Sequence, residues 1–277
     1  MIEFSCHTWA FNDLTLPEAL GTIARLGFRR VDIGSGTHLN AARAAERPQA
    51  VASEIREDLS TFNLNVADLY LMLPRISIDA EDKRQAEIQL YRALLPFAQA
   101  IGTPGITLSP GLAHPADDVE ARDRTVAALR DMVKAGKAAG LHISIEPHLD
   151  SMAPTPEAAL KLVTEVPGLQ ITLDWAHMVC QGIRDKDILP LLPHTRHVHI
   201  RQAARNKLQT RFDQGKIDLA SVYETLTGAN YTGVICVEYM KTVGWHGMAD
   251  VDTTAESVRV RDTLREARSR AAAIEHE

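Results

Sequence analysis

Cysteine is scarce: Cys6, Cys180 and Cys236 are the only three in 277 residues, and none stands in a C-x-x-C pair or a zinc-ribbon spacing. That excludes a disulfide framework and predicts reduced, mostly buried thiols. Long apolar runs are missing too, since no stretch reaches the roughly 18 residues of a membrane span. The chain opens on a strand pattern without a basic segment and long apolar core ahead of it, so the expected location is cytoplasmic. Basic charge is not in excess: 30 Lys and Arg against 36 Asp and Glu leave a net charge of −6 and a pI near 6.0. This balance speaks against nucleic acid as the main partner and leaves small molecules. Gly34-Ser35-Gly36 lacks the spacing of a dinucleotide fingerprint and reads as a plain loop.

What the chain does contain is an alternation of strand and helix patterns from end to end. Ile2 to Cys6, Arg30 to Ile33, Leu64 to Leu71 and Gly105 to Ser109 carry the apolar, β-branched character of strands. Four later strands end on Glu146, Asp174, His199 and Glu238. Between them lie helical patterns from Leu16 to Leu26, Pro48 to Phe62, Ala80 to Ala100, Ala116 to Ala139, Thr155 to Thr164, Asp185 to Leu192, Leu219 to Thr227, and from Thr254 onward. Thr15 and Pro17 mark a helix start and Gly27 its stop; Pro96 predicts a kink or break. Residues 271–277 are expected to fray. Eight strands and eight helical segments within a length typical of the fold predict an α/β protein, a single (β/α)8 TIM barrel filling residues 1–277. A doubly wound sheet shares the alternation, but it concentrates its site at one switch point, whereas here strands one, five, six, seven and eight all end in polar, reactive residues.

Leu141-His142-Ile143-Ser144-Ile145-Glu146-Pro147-His148 is the clearest of these tips: an alternating run stops on a carboxylate, and Pro147 cannot continue the ladder. Asp174, His199 and Glu238 follow at intervals of about one βα unit, so the four would meet at the C-terminal mouth of a barrel. Two glutamates, an aspartate and a histidine form a mixed oxygen and nitrogen shell suited to one divalent cation, Mn2+ foremost, with Mg2+ or Co2+ next and Zn2+ disfavoured. A single carboxylate at a strand end would more often be a salt bridge or helix cap; four in consecutive units favour metal. His197 shares the strand face of His199 but lies deeper. His177, three residues after Asp174, and His148, two after Glu146, stand beside the shell. His7, Trp9 and Trp245 lie on loops at the mouth, where the two indoles could wall a pocket. Arg201 to Arg211 is locally basic, with Arg205 the best candidate to meet an anionic group of the substrate.

Ile145-Glu146-Pro147-His148, Leu173-Asp174-Trp175-Ala176-His177, His197-Val198-His199-Ile200, Gln214-Gly215-Lys216-Ile217-Asp218 and Val237-Glu238-Tyr239 together resemble the sugar isomerase/epimerase family with the xylose-isomerase-like TIM barrel. The resemblance runs in order through the whole chain. It implies one divalent metal on Glu146, Asp174, His199 and Glu238, with substrate contacts from His177 and Arg205. The family includes ketose 3-epimerases, hydroxypyruvate isomerases, inosose isomerases and dehydratases, and AP endonucleases. The last branch needs further histidines after strand seven, and none occurs between Arg201 and Lys216.

The expected activity is isomerisation or epimerisation of a small ketose, inosose or related polyol-derived substrate, with Glu146 and Glu238 exchanging a proton next to a carbonyl. The same enediolate could lose a β-hydroxyl, which would make the chain a dehydratase. A non-catalytic binding subunit of a larger complex is the alternative from another class. Homo-oligomerisation is compatible with the sequence and is not specified by it.

Overall fold

The computed structural model describes residues 2–274. Strands β1 (Glu3–His7), β2 (Arg30–Gly34), β3 (Asn65–Leu71), β4 (Gly105–Leu108), β5 (His142–Ile145), β6 (Gln170–Asp174), β7 (Thr195–Ile200) and β8 (Val234–Val237) pair in parallel and in chain order. β8 returns to β1, with Phe4 opposite Ile235 and Cys6 opposite Val237, so the sheet closes. An unbroken order from β1 to β8 is that of a barrel; a doubly wound sheet reverses its order at a switch point.

The intervening helices are α1 (Leu16–Arg25), α2 (Ala41–Glu46), α3 (Pro48–Thr61), α4 (Glu81–Ile101), α5 (Val119–Ala138), α6 (Pro156–Glu165), α7 (Trp175–Gln181), α8 (Asp185–Ile188), α9 (Leu219–Gly228) and α10 (Thr253–Ile274). α1 starts in a capping box, the Thr15 amide donating to the Glu18 carboxylate at 2.9 Å. α2 and α7 are additional to the helices that periodicity indicates, because six or seven residues are too short to show a face. No break occurs at Pro96: α4 runs through it as one helix. Of the segment expected to fray, 271–274 belong to α10, and 275–277 lie outside the described residues. No helix among the described residues is long and apolar enough to cross a membrane.

Alternation sorts the strand residues into two populations. Val31, Ile33, Leu69, Ile106, Ile143, Ile171, Leu173, Val198 and Ile235 are buried in the apolar layer between strands and helices, each contributing about 1.5–3 kcal/mol by leaving water. Their neighbours on the other face fill the barrel itself and are polar. Asp68, Thr107, Ser144 and Thr172 meet there, with Thr107 donating to Asp68 and the Ser144 and Thr172 hydroxyls 2.7 Å apart. Arg196 closes this layer, its Nη2 reaching Asp68 Oδ1 at 2.8 Å and Ser144 Oγ at 2.7 Å. A guanidinium there requires a carboxylate partner, because an unpaired charge in the interior is strongly disfavoured. Asp68→Ala is therefore expected to lower stability by about 3–5 kcal/mol, read by urea unfolding at neutral pH; a loss below about 1 kcal/mol would mean that solvent compensates Arg196 instead.

Candidate active site

Two residues further along the strands than the Asp68 layer, the same inward face carries the groups that the strand tips deliver. Glu146 follows β5 directly, Asp174 ends β6, His199 stands one residue before the end of β7, and Glu238 follows β8. All four are buried, the least so being Glu146 at 4% exposure. His199 lies between the two glutamates: Nδ1 is 2.6 Å from Glu146 Oε1 and 3.5 Å from Glu238 Oε1. Ligand atoms of these three residues fall within 4.8 Å of one another, the spacing that a shared metal ion needs. Asp174 joins less directly. Its Oδ1 caps α7 by accepting the Ala176 amide proton at 2.7 Å, and its Oδ2 makes no hydrogen bond but faces Arg201 Nη2 at 3.1 Å and His177 Nε2 at 3.6 Å.

Each remaining carboxylate oxygen of the glutamates has its own donor. The Tyr70 hydroxyl donates to Glu146 Oε2 at 2.7 Å, and Arg201 Nη1 donates to Glu238 Oε2 and, at 3.1 Å, to the Glu238 carbonyl. Burial alone would raise Glu146, but the hydrogen bond and charge of His199 outweigh it and hold this carboxyl well below the usual range. Burial would likewise lower His199; the carboxylates of Glu238, Asp32 and Glu146 reverse that and raise it. Glu238 is pushed up to about 8, by burial first and by the nearby charge of Glu146 against the opposing pull of His199 and Arg201. Burial, more than Arg201 offsets, raises Asp174 as well. The cluster thus carries more carboxylates than cations.

Beneath His199, Asp32 accepts from Ser5 Oγ at 2.7 Å and sits 2.5 Å from His197 Nε2 and 3.5 Å from His199 Nε2. Asp32 therefore hydrogen-bonds His197 and stands behind the far nitrogen of His199 as a charge, without a hydrogen bond to it. Asp32, His197, His199 and Cys236 also bring ligand atoms within 4.8 Å of one another, but here Ser5 and His197 already occupy the carboxylate oxygens.

Above the cluster lies a narrow cleft of about 50 Å3. Trp9, Tyr70, Met72, Met240 and Trp245 form its walls, and His148, His177 and Arg201 join the two glutamates at its polar end. Gly34 makes room for this wall: a Cβ there would meet the Trp9 ring at 2.3 Å and His7 at 2.7 Å. His177 Nδ1 accepts from the Leu149 amide at 3.3 Å, which leaves Nε2 facing Asp174, while His148 Nε2 pairs with Ser109 Oγ at 3.0 Å. Trp245 and His246 reach over the mouth to Asp150, at 3.3 and 2.6 Å. Asp150 and His246 both adopt positive φ, 61° and 45°, a conformation that a close turn imposes and non-glycine residues rarely take.

The structure thus gathers Glu146, His199 and Glu238 closely, sets Asp174 against them through Arg201, and lines the cleft with Trp9, His148, His177 and Trp245. His7 does not line the cleft; it packs behind Trp9 with ring centroids 4.2 Å apart and accepts the Trp9 amide proton on Nδ1 at 3.1 Å. Arg205 is not brought to the cleft either. It is exposed in the turn that follows β7, against Gly182 at the end of α7, because Ala204 and Lys207 pair to form a tight hairpin that carries it outward. The buried cation is Arg201, two residues beyond His199 on the alternating inward face, and that period was the signal available in sequence. Tyr70 could be found the same way, two residues beyond Asp68; Asp150, contacted across 96 residues by His246, could not.

These features define a class: a closed (β/α)8 barrel with a carboxylate and imidazole centre at the C-terminal mouth. Residues 20–264 match the sequence profile of the xylose isomerase-like TIM barrel family, and the chain belongs to that family. Among solved structures, D-psicose 3-epimerase from Clostridium cellulolyticum H10 in complex with D-tagatose superposes with a TM-score of 0.77 at 16% identity, over 96% of this chain and 99% of that one. A 3-DHS dehydratase from Bacillus anthracis gives 0.75 at 17% over 95% and 99%, and a 3-keto-D-glucoside 4-epimerase from E. coli gives 0.73 at 18% over 97% and 100%. At such identities the likeness is one of fold. No curated protein matches by sequence.

His7 gives this site a measurable pH signature. Burial pushes its imidazole down to about 3, against the pull of Asp32. An unfolded chain takes up that proton near pH 6.5, so the stability tied to neutral His7 is complete above that pH and is lost as pH falls from there toward 3. The expected contribution is about 1.4 kcal/mol per pH unit. His7→Asn, which keeps an acceptor for the Trp9 amide, should flatten the urea-unfolding slope between pH 6 and 4.5 by that amount; an unaltered slope would assign it to other groups.

Proposed function

We propose that the chain is a divalent-metal-dependent isomerase or epimerase of a small ketose, inosose or related polyol-derived substrate. The observation that carries this reading is the placement of Glu146 and Glu238 on either side of His199 at the floor of an indole-walled cleft. The donor set fits a divalent ion: Glu146, His199 and Glu238 already converge, and the surplus of buried carboxylate that raises Glu238 and Asp174 is the charge an ion would balance. Glu146, Asp174, His199 and Glu238 would hold it, with Asp32 behind His199. Oxygen-rich coordination with one imidazole suits Mn2+ best, Mg2+ or Co2+ next. When bound, such an ion supplies Lewis-acid polarisation of a carbonyl and stabilises negative charge developing beside it.

The chain's residues supply the rest. Glu146, held below the usual carboxylate range and fixed by Tyr70, removes the proton next to the carbonyl; Glu238, on the other side of His199, returns it. Delivery to the opposite face gives an epimer, and delivery to the neighbouring carbon gives the isomer. Trp9 and Trp245 offer flat apolar faces to a sugar or inositol ring, and His148 and His177 face its hydroxyls. Arg205, exposed and turned outward, is left out of this reading. The buried, unpaired thiols and the acidic balance support a reducing, cytoplasmic setting with no nucleic-acid partner.

A second outcome at the same site, loss of a β-hydroxyl, is favoured by the unlike surroundings of the two glutamates. A phenol faces Glu146 and a guanidinium faces Glu238, and the environment lowers the first carboxyl while raising the second. One base and one acid suit elimination, whereas reversible epimerisation asks each group to serve in both roles.

Both outcomes begin with proton removal. Incubating the Mn2+-loaded protein in D2O with ketoses, inososes and sugar acids should put deuterium next to the carbonyl of the true substrate, seen by NMR and abolished by chelator. Glu146→Gln and Glu238→Gln should each reduce exchange or turnover by about 10^2–10^4 with an unchanged circular dichroism spectrum. Full activity in either variant would remove that residue from proton transfer.

A further inference from the structure

A cation stands among the carboxylates as part of the chain. Arg201 is 1% exposed, and each of its three guanidinium nitrogens has a protein partner. Nε donates to the Leu208 carbonyl at 3.3 Å, Nη1 to the Glu238 carbonyl at 3.1 Å and to Glu238 Oε2, and Nη2 lies 3.1 Å from Asp174 Oδ2. It is committed to two carboxylates that a divalent ion would also need. For Asp174 the conflict is direct. Oδ1 is taken by the Ala176 amide, so Oδ2 is the oxygen Asp174 can offer, and Arg201 already faces it.

We propose that Arg201 is a resident counter-cation that shares Asp174 and Glu238 with the divalent ion, so that the ion is exchangeable and the barrel folds without it. The inference rests on the metal reading given above. A guanidinium stays protonated throughout the accessible pH range, and its planar fork meets two carboxylates in fixed directions, whereas a lysine ammonium is a flexible point charge. Three buried carboxylates with His199 alone to balance them would oppose folding, and Arg201 lowers that obstacle before any ion arrives. The same charge lowers affinity for the ion twice over: it repels a second cation held by the same ligands, and it competes for Asp174 Oδ2.

The test compares wild type, Arg201→Met and Arg201→Lys, each stripped with chelator and then titrated with Mn2+. Melting temperature and calorimetric affinity are the readouts, and neither needs a substrate. Arg201→Met should melt about 10 °C or more below wild type when stripped, recover most of that loss with saturating Mn2+, and bind Mn2+ about tenfold or more tightly. Arg201→Lys should fall between the two. Folding of Arg201→Met only in the presence of Mn2+ is the extreme form of the same result. If Arg201→Met fails to fold even with Mn2+, Arg201→Lys decides: a larger Mn2+-induced rise in melting temperature than wild type supports the proposal, and an equal or smaller one overturns it. Mn2+ affinity in Arg201→Met that equals or falls below that of wild type overturns it, and so does an unaltered melting temperature in the stripped variant. A wild type that takes up no Mn2+ overturns the metal reading itself, an outcome distinct from equal binding by all three proteins.

Discussion

Negative charge buried at the barrel mouth is the constraint around which the neighbouring structure is arranged. Glu146, Asp174 and Glu238 are each nearly inaccessible to water, and the interior cannot hold three ionised carboxylates without compensation. Compensation comes from every side: His199 between the glutamates, Arg201 across Asp174 and Glu238, Tyr70 on the remaining oxygen of Glu146, and the α7 N-terminus on Asp174. His199 in turn has Asp32 behind it, and Asp32 is shared with His197 and Ser5. Each group is held by the need to satisfy the next, which preorganises the site.

The barrel supports this arrangement by stacking polar layers along its axis. The lower one, Asp68 with Arg196 and three hydroxyls, resolves its own charge within the barrel and does not line the cleft. The upper one retains an excess of carboxylate and opens to a cleft. The difference between the two layers is therefore one of charge balance and access, since both are built from the same inward face of the barrel. The cleft is shaped by packing against that layer: Trp9 lies where Gly34 has no Cβ, and Trp245 and His246 span the mouth to Asp150. Two residues at positive φ on opposite sides of this span show that the loops are held there by their contacts and not by local preference.

The fold was legible because period two marks strands, caps and glycines mark helix ends, and eight repeats in a chain of this length admit few architectures. Short helices escaped that reading, and so did the uninterrupted course of α4 through Pro96, where tertiary packing outweighs a local penalty. Within the candidate site, the strand tips carrying Glu146, Asp174, His199 and Glu238 could be read from the chain because a strand end fixes where its last side chain goes. Arg205 and His7 show where that reasoning stops. A loop residue is placed by turn geometry, and a two-residue pairing between Ala204 and Lys207 is enough to send Arg205 outward.

What the sequence determined by itself is the order of strands and helices, and with it the end of the barrel at which the carboxylates and histidines of the strand tips gather, since both follow from local periodicity and chain connectivity. The tertiary structure alone decided the pairings: that Tyr70 meets Glu146, that Arg201 meets Glu238, and that Asp150 meets His246. These contacts join residues 37 to 96 positions apart through side-chain reach and burial. Such distances are set by how the barrel closes, and no local pattern encodes them.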